Sequence, residues 1–155
     1  MKKGVITIIM VLSIVSLVSA QDYKTGIGLR AGNSLGLTIK HFLNQKAAFE
    51  GLLKTRWQGF EITGLYEINN QAFDVSGLKW FYGVGGHIGF YNGDYVYWGR
   101  SGTTYTVVGI DGILGLEYTF TEIPINIGLD WKPALNLVGY SGLWSEGALS
   151  VRYVF

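Results

Sequence analysis

Read backwards from its C-terminus, the chain alternates. Leu149, Val151, Tyr153 and Phe155 form one register, and Glu146, Ala148, Ser150, Arg152 and Val154 form the other. A period of two is the signature of a strand whose faces meet different surroundings. Upstream, Ile125, Ile127, Leu129 and Trp131 alternate with Asn126, Gly128, Asp130 and Lys132 after a Thr121 to Pro124 turn. Val108, Ile110, Leu114, Leu116, Tyr118 and Phe120 alternate with Gly109, Asp111, Gly115, Glu117 and Thr119, with Ile113 the one bulky residue on the polar side. Leu78, Trp80, Tyr82, Val84, Ile88 and Phe90 stand opposite Lys79, Phe81, Gly83, Gly85, His87 and Gly89. Further upstream Phe60, Ile62 and Tyr66 face away from Glu61, Thr63 and Glu67, with Leu65 out of pattern, and Phe49, Leu53 and Trp57 face away from Glu50 and Lys54. Nearest the start, Leu35, Leu37 and Ile39 alternate with Gly36, Thr38 and Lys40, and Ile27, Leu29 and Ala31 with Gly28, Arg30 and Gly32. The pattern predicts an all-β chain of eight strands, each of about ten residues.

The first twenty residues follow another logic. Lys2 and Lys3 precede an uncharged run from Val5 to Val18, and Val18-Ser19-Ala20 has the small-x-small form of a cleavage site. Residues 1–20 therefore read as a signal peptide and 21–155 as one barrel domain. The apolar run is too short to cross a bilayer as a helix, which takes about 20 residues. No cysteine occurs, so disulfides, thiolate metal sites and a lipid-modified cysteine are excluded.

Composition decides what kind of sheet this is. Without Lys2 and Lys3, ten Lys and Arg face eleven Asp and Glu, and no basic footprint for nucleic acid exists. Charged residues make up only 15% of the chain, no more than the aromatics, so a solvated surface would be hard to build. An eight-stranded barrel has an interior just wide enough for packed side chains. The register of Trp, Tyr, Phe, Leu and Ile is too bulky for it, whereas the register of Gly, Ala, Ser, Thr and scattered charges fits. The expectation is an eight-stranded antiparallel up-and-down transmembrane β-barrel with its apolar register against lipid. Its edges must close, because unpaired backbone groups are intolerable in hydrocarbon.

The terminal Leu149-Ser150-Val151-Arg152-Tyr153-Val154-Phe155, with the signal segment and the strand count, resembles the small outer-membrane β-barrels of Gram-negative bacteria. Among them it looks like the OmpX-like or porin-like group, with a Gly- and Tyr-rich flavour similar to members from Bacteroidetes. The resemblance implies an outer-membrane location, contact with outer-membrane lipid and lipopolysaccharide, and a monomer. It also implies that Leu149, Val151, Tyr153 and Phe155 are read by the barrel-assembly machinery. With an even strand number both termini would lie in the periplasm. The turns at Asn44-Gln45, Asn69 to Val75 and Thr121 to Pro124 would lie there too. Asn33-Ser34, Arg56 to Gly59, Tyr91 to Tyr105 and Val138 to Trp144 would face outward.

Two groups of residues carry the chemistry. Arg30, Lys40, Glu50, Lys54, Glu61, Glu67, His87, Asp111, Glu117, Asp130, Lys132, Glu146 and Arg152 share the interior register with nearly balanced signs. Confined ionised groups persist when paired, so they are expected to interlock and fill the tube. In the long loop Tyr95, Tyr97, Trp98 and Arg100 are the candidates for surface contact. Two aromatic girdles are expected, with Tyr118, Phe120, Tyr153 and Phe155 at one end and Tyr95, Tyr97, Trp98 and Trp144 toward the other. A narrow channel for small solutes is the alternative function.

Some barrels of this size modify lipid A, using His with Ser and a carboxylate. Here only His41 and His87 exist. His41 lies on the lipid register, and His87 could be oriented by Asp111 or Glu117. Hydroxyls come only from Ser101, Thr103 and Thr104 in the long loop, so no catalytic residue is assigned. Gly26-Ile27-Gly28-Leu29-Arg30-Ala31 lacks the strand before it and the helix after it that a dinucleotide site needs. The two histidines make no zinc site, and Asp94 and Glu67 lack calcium-loop spacing. No metal and no cofactor are expected.

Overall fold

A computed structural model describes residues 23–56 and 58–155, so the expected signal peptide and Trp57 lie outside the described residues. Eight antiparallel strands follow one another around a closed barrel. They are β1 (Thr25–Ala31), β2 (Leu35–Phe42), β3 (Ala47–Arg56), β4 (Gly59–Gln71), β5 (Leu78–Asn92), β6 (Thr104–Thr119), β7 (Ile125–Val138) and β8 (Gly142–Val154). β8 closes on β1 through Gly26–Val154 to Ala31–Leu149. Among the described residues there is no helix.

The barrel is inside out relative to a water-soluble one. Leu37, Ile110, Leu129 and Trp131 are exposed on the outer surface, each by about half. Lys40, Glu67 and Arg152 face the interior at 1% exposure or less. This follows from strict strand parity, since successive side chains take opposite faces. The outward apolar set suits hydrocarbon, in which a barrel satisfies every ladder group internally.

Strand length departs from the expected ten residues. β1 and β2 hold seven and eight, while β5 and β6 hold 15 and 16. Asn69 to Gln71, expected in a turn, belong to β4, and the long loop shrinks to the segment between Asn92 and Thr104. At the end holding both termini the strands are tied evenly. Thr25 and Phe155 exchange backbone bonds of 2.9 Å, Phe42 N donates to Lys24 O at 2.8 Å, and Asn69 N to Lys46 O at 2.7 Å. Thr119 N donates to Gly77 O at 2.9 Å and Val154 N to Pro124 O at 3.0 Å. Differences in length therefore emerge at the opposite, loop end.

Two local features have residue-level causes. Gly139 turns β7 into β8 at a φ of +87°, where a Cβ would stand 2.2 Å from Thr106 O. In β7, Pro133 cannot donate to a ladder. The β6–β7 register stops at Asp111–Ala134 and resumes at Leu114–Trp131. A further one-residue shift falls between Val108 and Gly109.

Candidate functional site

The interior is built in three layers along the barrel axis. Nearest the termini, Arg152 of β8 holds four strands together. Its Nε donates to Thr38 Oγ1 at 3.1 Å, Nη1 to Asn126 Oδ1 at 3.0 Å, and Nη2 pairs with Glu50. Lys40 Nζ sits 2.8 Å from Glu67 Oε2, 2.9 Å from Glu117 Oε2 and 2.8 Å from Asn69 Oδ1. The Tyr23 hydroxyl donates to the other oxygen of Glu117 at 3.4 Å, and Thr38 donates to Glu50 at 2.5 Å. Charge-assisted bonds of this density are the condition under which ionised groups remain stable away from water.

Beside and above them, on β3 to β6 alone, lies an apolar belt. Leu52, Leu65, Phe81 and Ile113 form a buried cluster inside the tube. This corrects the expectation that small residues and charges fill the interior. Leu65 and Ile113, which broke the sequence pattern, point inward and meet there. The belt also takes one face of a charge, for Lys40 Nζ lies 4.2 Å from the centre of the Phe81 ring.

The third layer lies toward the loops. Arg30 grips Asp130 with two bonds, Nη2 to Oδ1 at 2.6 Å and Nε to Oδ2 at 3.2 Å, and reaches Glu146 at 2.5 Å. Lys54 bridges Glu61 at 3.0 Å and Glu146 at 3.3 Å, and Lys132 meets Asp111 at 2.5 Å. His87 Nδ1 is 2.7 Å from Asp111 Oδ2 and Nε2 is 3.0 Å from Asn136 Oδ1. Glu117, the other residue expected beside His87, lies instead in the layer near the termini. Tyr91, which the sequence did not single out, donates its hydroxyl to Glu61. All the charges assigned to the interior register are buried.

At the loop end the tube opens into a vestibule. Its cavity of about 40 Å³ is lined by Lys54, Arg56, Glu61, Trp98, Lys132 and Trp144 among others. That volume holds on the order of three waters. Trp98 is half-buried over the mouth and stacks on Tyr140, with ring centres 4.7 Å apart and planes within 9°. It also meets Tyr105 edge-on at 5.1 Å. The hydroxyls of Tyr97 and Tyr140 are 3.0 Å apart, and the Arg56 guanidinium stands 5.4 Å from the Trp144 ring. Of the four loop residues singled out, Tyr95, Tyr97 and Arg100 are exposed, whereas Trp98 turns toward the vestibule. Trp144 also lines the vestibule, so it does not stand on the outer face as a girdle residue would.

The remaining candidates sit apart. Tyr118–Phe120 and Tyr153–Phe155 pair as rings near the termini end, at 4.9 and 6.3 Å. Leu149 and Val151 lie on the outer face. His41 faces outward and its Nδ1 is 2.9 Å from Thr25 Oγ1. Among the described residues no group of three or more His, Asp or Glu could hold a metal ion.

No protein-family model and no curated protein matches the chain. Among solved structures, the crystal structure of Neisserial surface protein A (NspA) superposes with a TM-score of 0.57 at 12% sequence identity. The likeness covers 84% of this chain and 93% of that one. It establishes the eight-stranded barrel as a shared fold.

Proposed function

We propose that the chain is an integral outer-membrane barrel of the OmpX-like kind, exported by a cleaved N-terminal signal, with a structural or surface-contact role. The single observation that carries this reading is the inversion of the barrel, apolar outside and ion-paired inside. An apolar outer wall buried in lipid and a closed ladder meet the two demands of the bilayer together. Both termini then lie in the periplasm, and the vestibule with its Tyr97, Trp98 and Tyr140 cluster lies at the cell surface. Leu149, Val151, Tyr153 and Phe155 are offered to the assembly machinery, and lipid and lipopolysaccharide surround a monomer.

In this reading the interior is closed by its own side chains. Three successive layers, two charged and one apolar, leave at the mouth a cavity of about 40 Å³. Open aqueous channels need roughly 16 strands. Purified protein in planar bilayers is therefore expected to give no large, stable conductance steps. Their appearance would replace this reading with the narrow solute channel. The role is also non-catalytic, since both His87 nitrogens are engaged by Asp111 and Asn136 rather than by a hydroxyl. Lipid A from cells with and without the protein should carry the same acyl pattern by mass spectrometry, and a changed pattern would reassign it as an enzyme.

A further inference from the structure

Bulky side chains cover the outer wall on β6 and β7 except in one place. Ile110 pairs with Leu135, and nearer the termini Leu114 pairs with Trp131, all four pointing outward. Between these two rows stand Gly112 on β6 and Pro133 on β7, which raise little or no side chain. A groove of about 520 Å³ results, floored by Gly112 and Pro133 and bordered by Val84, Ile110, Leu135 and Leu143. Small-molecule sites typically measure roughly 300 to 1,000 Å³.

The floor of this groove holds an acceptor without a donor. Along β6 the backbone groups of even-numbered residues face β7, for Phe120 N donates to Ile125 O while Thr119 N turns the other way, to Gly77 O. Gly112 therefore directs its carbonyl at β7, and the register between Asp111–Ala134 and Leu114–Trp131 sets Pro133 opposite. Proline has no N–H, so the ladder supplies nothing to that oxygen. The ammonium of Lys132, the inward residue beside Pro133, meets Asp111 instead. A Cβ on Gly112 would touch only Pro133, first its ring at 3.4 Å, so packing within the barrel does not demand a glycine here. What the missing side chain does is leave the oxygen open to the lipid side, since carbonyls accept over a broad range of directions. Gly64 differs: it also faces outward into open space, but its ladder neighbours Gly51 and Gly86 both carry amide hydrogens.

Depth sets the surroundings of this oxygen. Strands rise about 3.3 Å per residue and tilt by roughly 40°, which lifts the wall by about 2.5 Å per residue. Gly112 stands seven residues above Thr119, the end of β6. It thus lies about 18 Å up an apolar band of about 25 Å, past the midplane and roughly 7 Å below the outer edge. No water is at hand there, and a carbonyl without a donor is costly. A fitting occupant is apolar along its length and carries a donor at one point.

We propose that this groove binds a hydroxylated acyl chain of an outer-leaflet lipid, its hydroxyl donating to the Gly112 carbonyl and its methylenes lying against Val84, Ile110 and Leu143. The lipid supplies the hydrogen bond that Pro133 removes from the ladder. A plain acyl chain fills the same groove but leaves the oxygen without a donor, so the site discriminates by a single group. It rests on the outer-membrane reading, which places the loop end, and with it this depth, in the outer leaflet.

The test uses the full chain folded in phosphatidylcholine nanodiscs, with the Gly112 carbonyl carbon followed by NMR. The titrants are phosphatidylcholines with one tetradecanoyl chain that is plain or hydroxylated at carbon 3 or carbon 7. A hydroxylated lipid is expected to move the resonance downfield and saturate it, and halving that response should take roughly a fivefold excess of the plain lipid. Pro133→Ala restores a backbone donor opposite Gly112 and should erase the preference, while the barrel keeps its heat-modifiable gel mobility. Gly112→Leu, which fills the groove from its floor, should make the carbonyl at that position unresponsive to every titrant. A resonance that responds equally to plain and hydroxylated lipids, that responds to none, or that still prefers the hydroxyl after Pro133→Ala overturns the site and leaves the outer-membrane reading standing. A chain that never enters bilayers overturns that reading first, and the site falls with it.

Discussion

The two charged layers inside the barrel use the same residue types in different surroundings. Near the termini, Lys40, Glu50, Glu67, Glu117 and Arg152 are packed beside and below the apolar belt, with exposures of 0 to 2%. Toward the loops, Lys54, Glu61 and Glu146 line the vestibule, with exposures of 6 to 8%. Charge that loses its partner beside a water-sized cavity can be rehydrated, whereas charge that loses it below the belt cannot. Identical chemistry should therefore give unequal energetics.

The sharpest way to break that comparison is Arg152→Met. It strips the Glu50 carboxylate of its guanidinium and leaves Thr38 and Asn126 without their donor. A loss of about 3 to 5 kcal/mol is expected, measured by urea unfolding from lipid vesicles with heat-modifiable mobility as the fold readout. Leu65→Ala, which opens the belt between the layers, should cost about 3 kcal/mol in the same assay. Lys54→Met should cost only roughly 1 to 3 kcal/mol, since Arg30 still reaches Glu146, Tyr91 still donates to Glu61 and water can enter from the vestibule. If Lys54→Met and Arg152→Met destabilise equally, the two layers are one. Tyr97→Phe removes an exposed hydroxyl contact with Tyr140 and should change stability by less than about 0.5 kcal/mol.

Parity made much of this legible in the amino-acid sequence. A residue's face depends only on whether its position is odd or even within a strand, so the buried charges could be enumerated without a structure. Partners could not, because Arg30 with Glu146 and Lys40 with Glu117 meet across sequence gaps that only ladder register closes. Leu65 and Ile113 stood out as irregularities, yet their meeting in one belt needed the third dimension. Neutral interior groups such as Thr38, Asn126 and Asn136 carry no signal that separates them from ordinary strand residues. Strand ends were the least legible, since alternation continues past the last ladder pair. The seven-residue β1 and the 16-residue β6 both read as segments of about ten.

One interruption in the wall has a temporal meaning. Between Asp111–Ala134 and Leu114–Trp131 the β6–β7 ladder has no register pairs, and Pro133 offers no amide hydrogen there. Breathing of the cylinder should start along this seam, so deuterium from heavy water should enter the Gly112 amide, which faces β7, well before that of Ile113, which faces β5, or those of the β8–β1 closure.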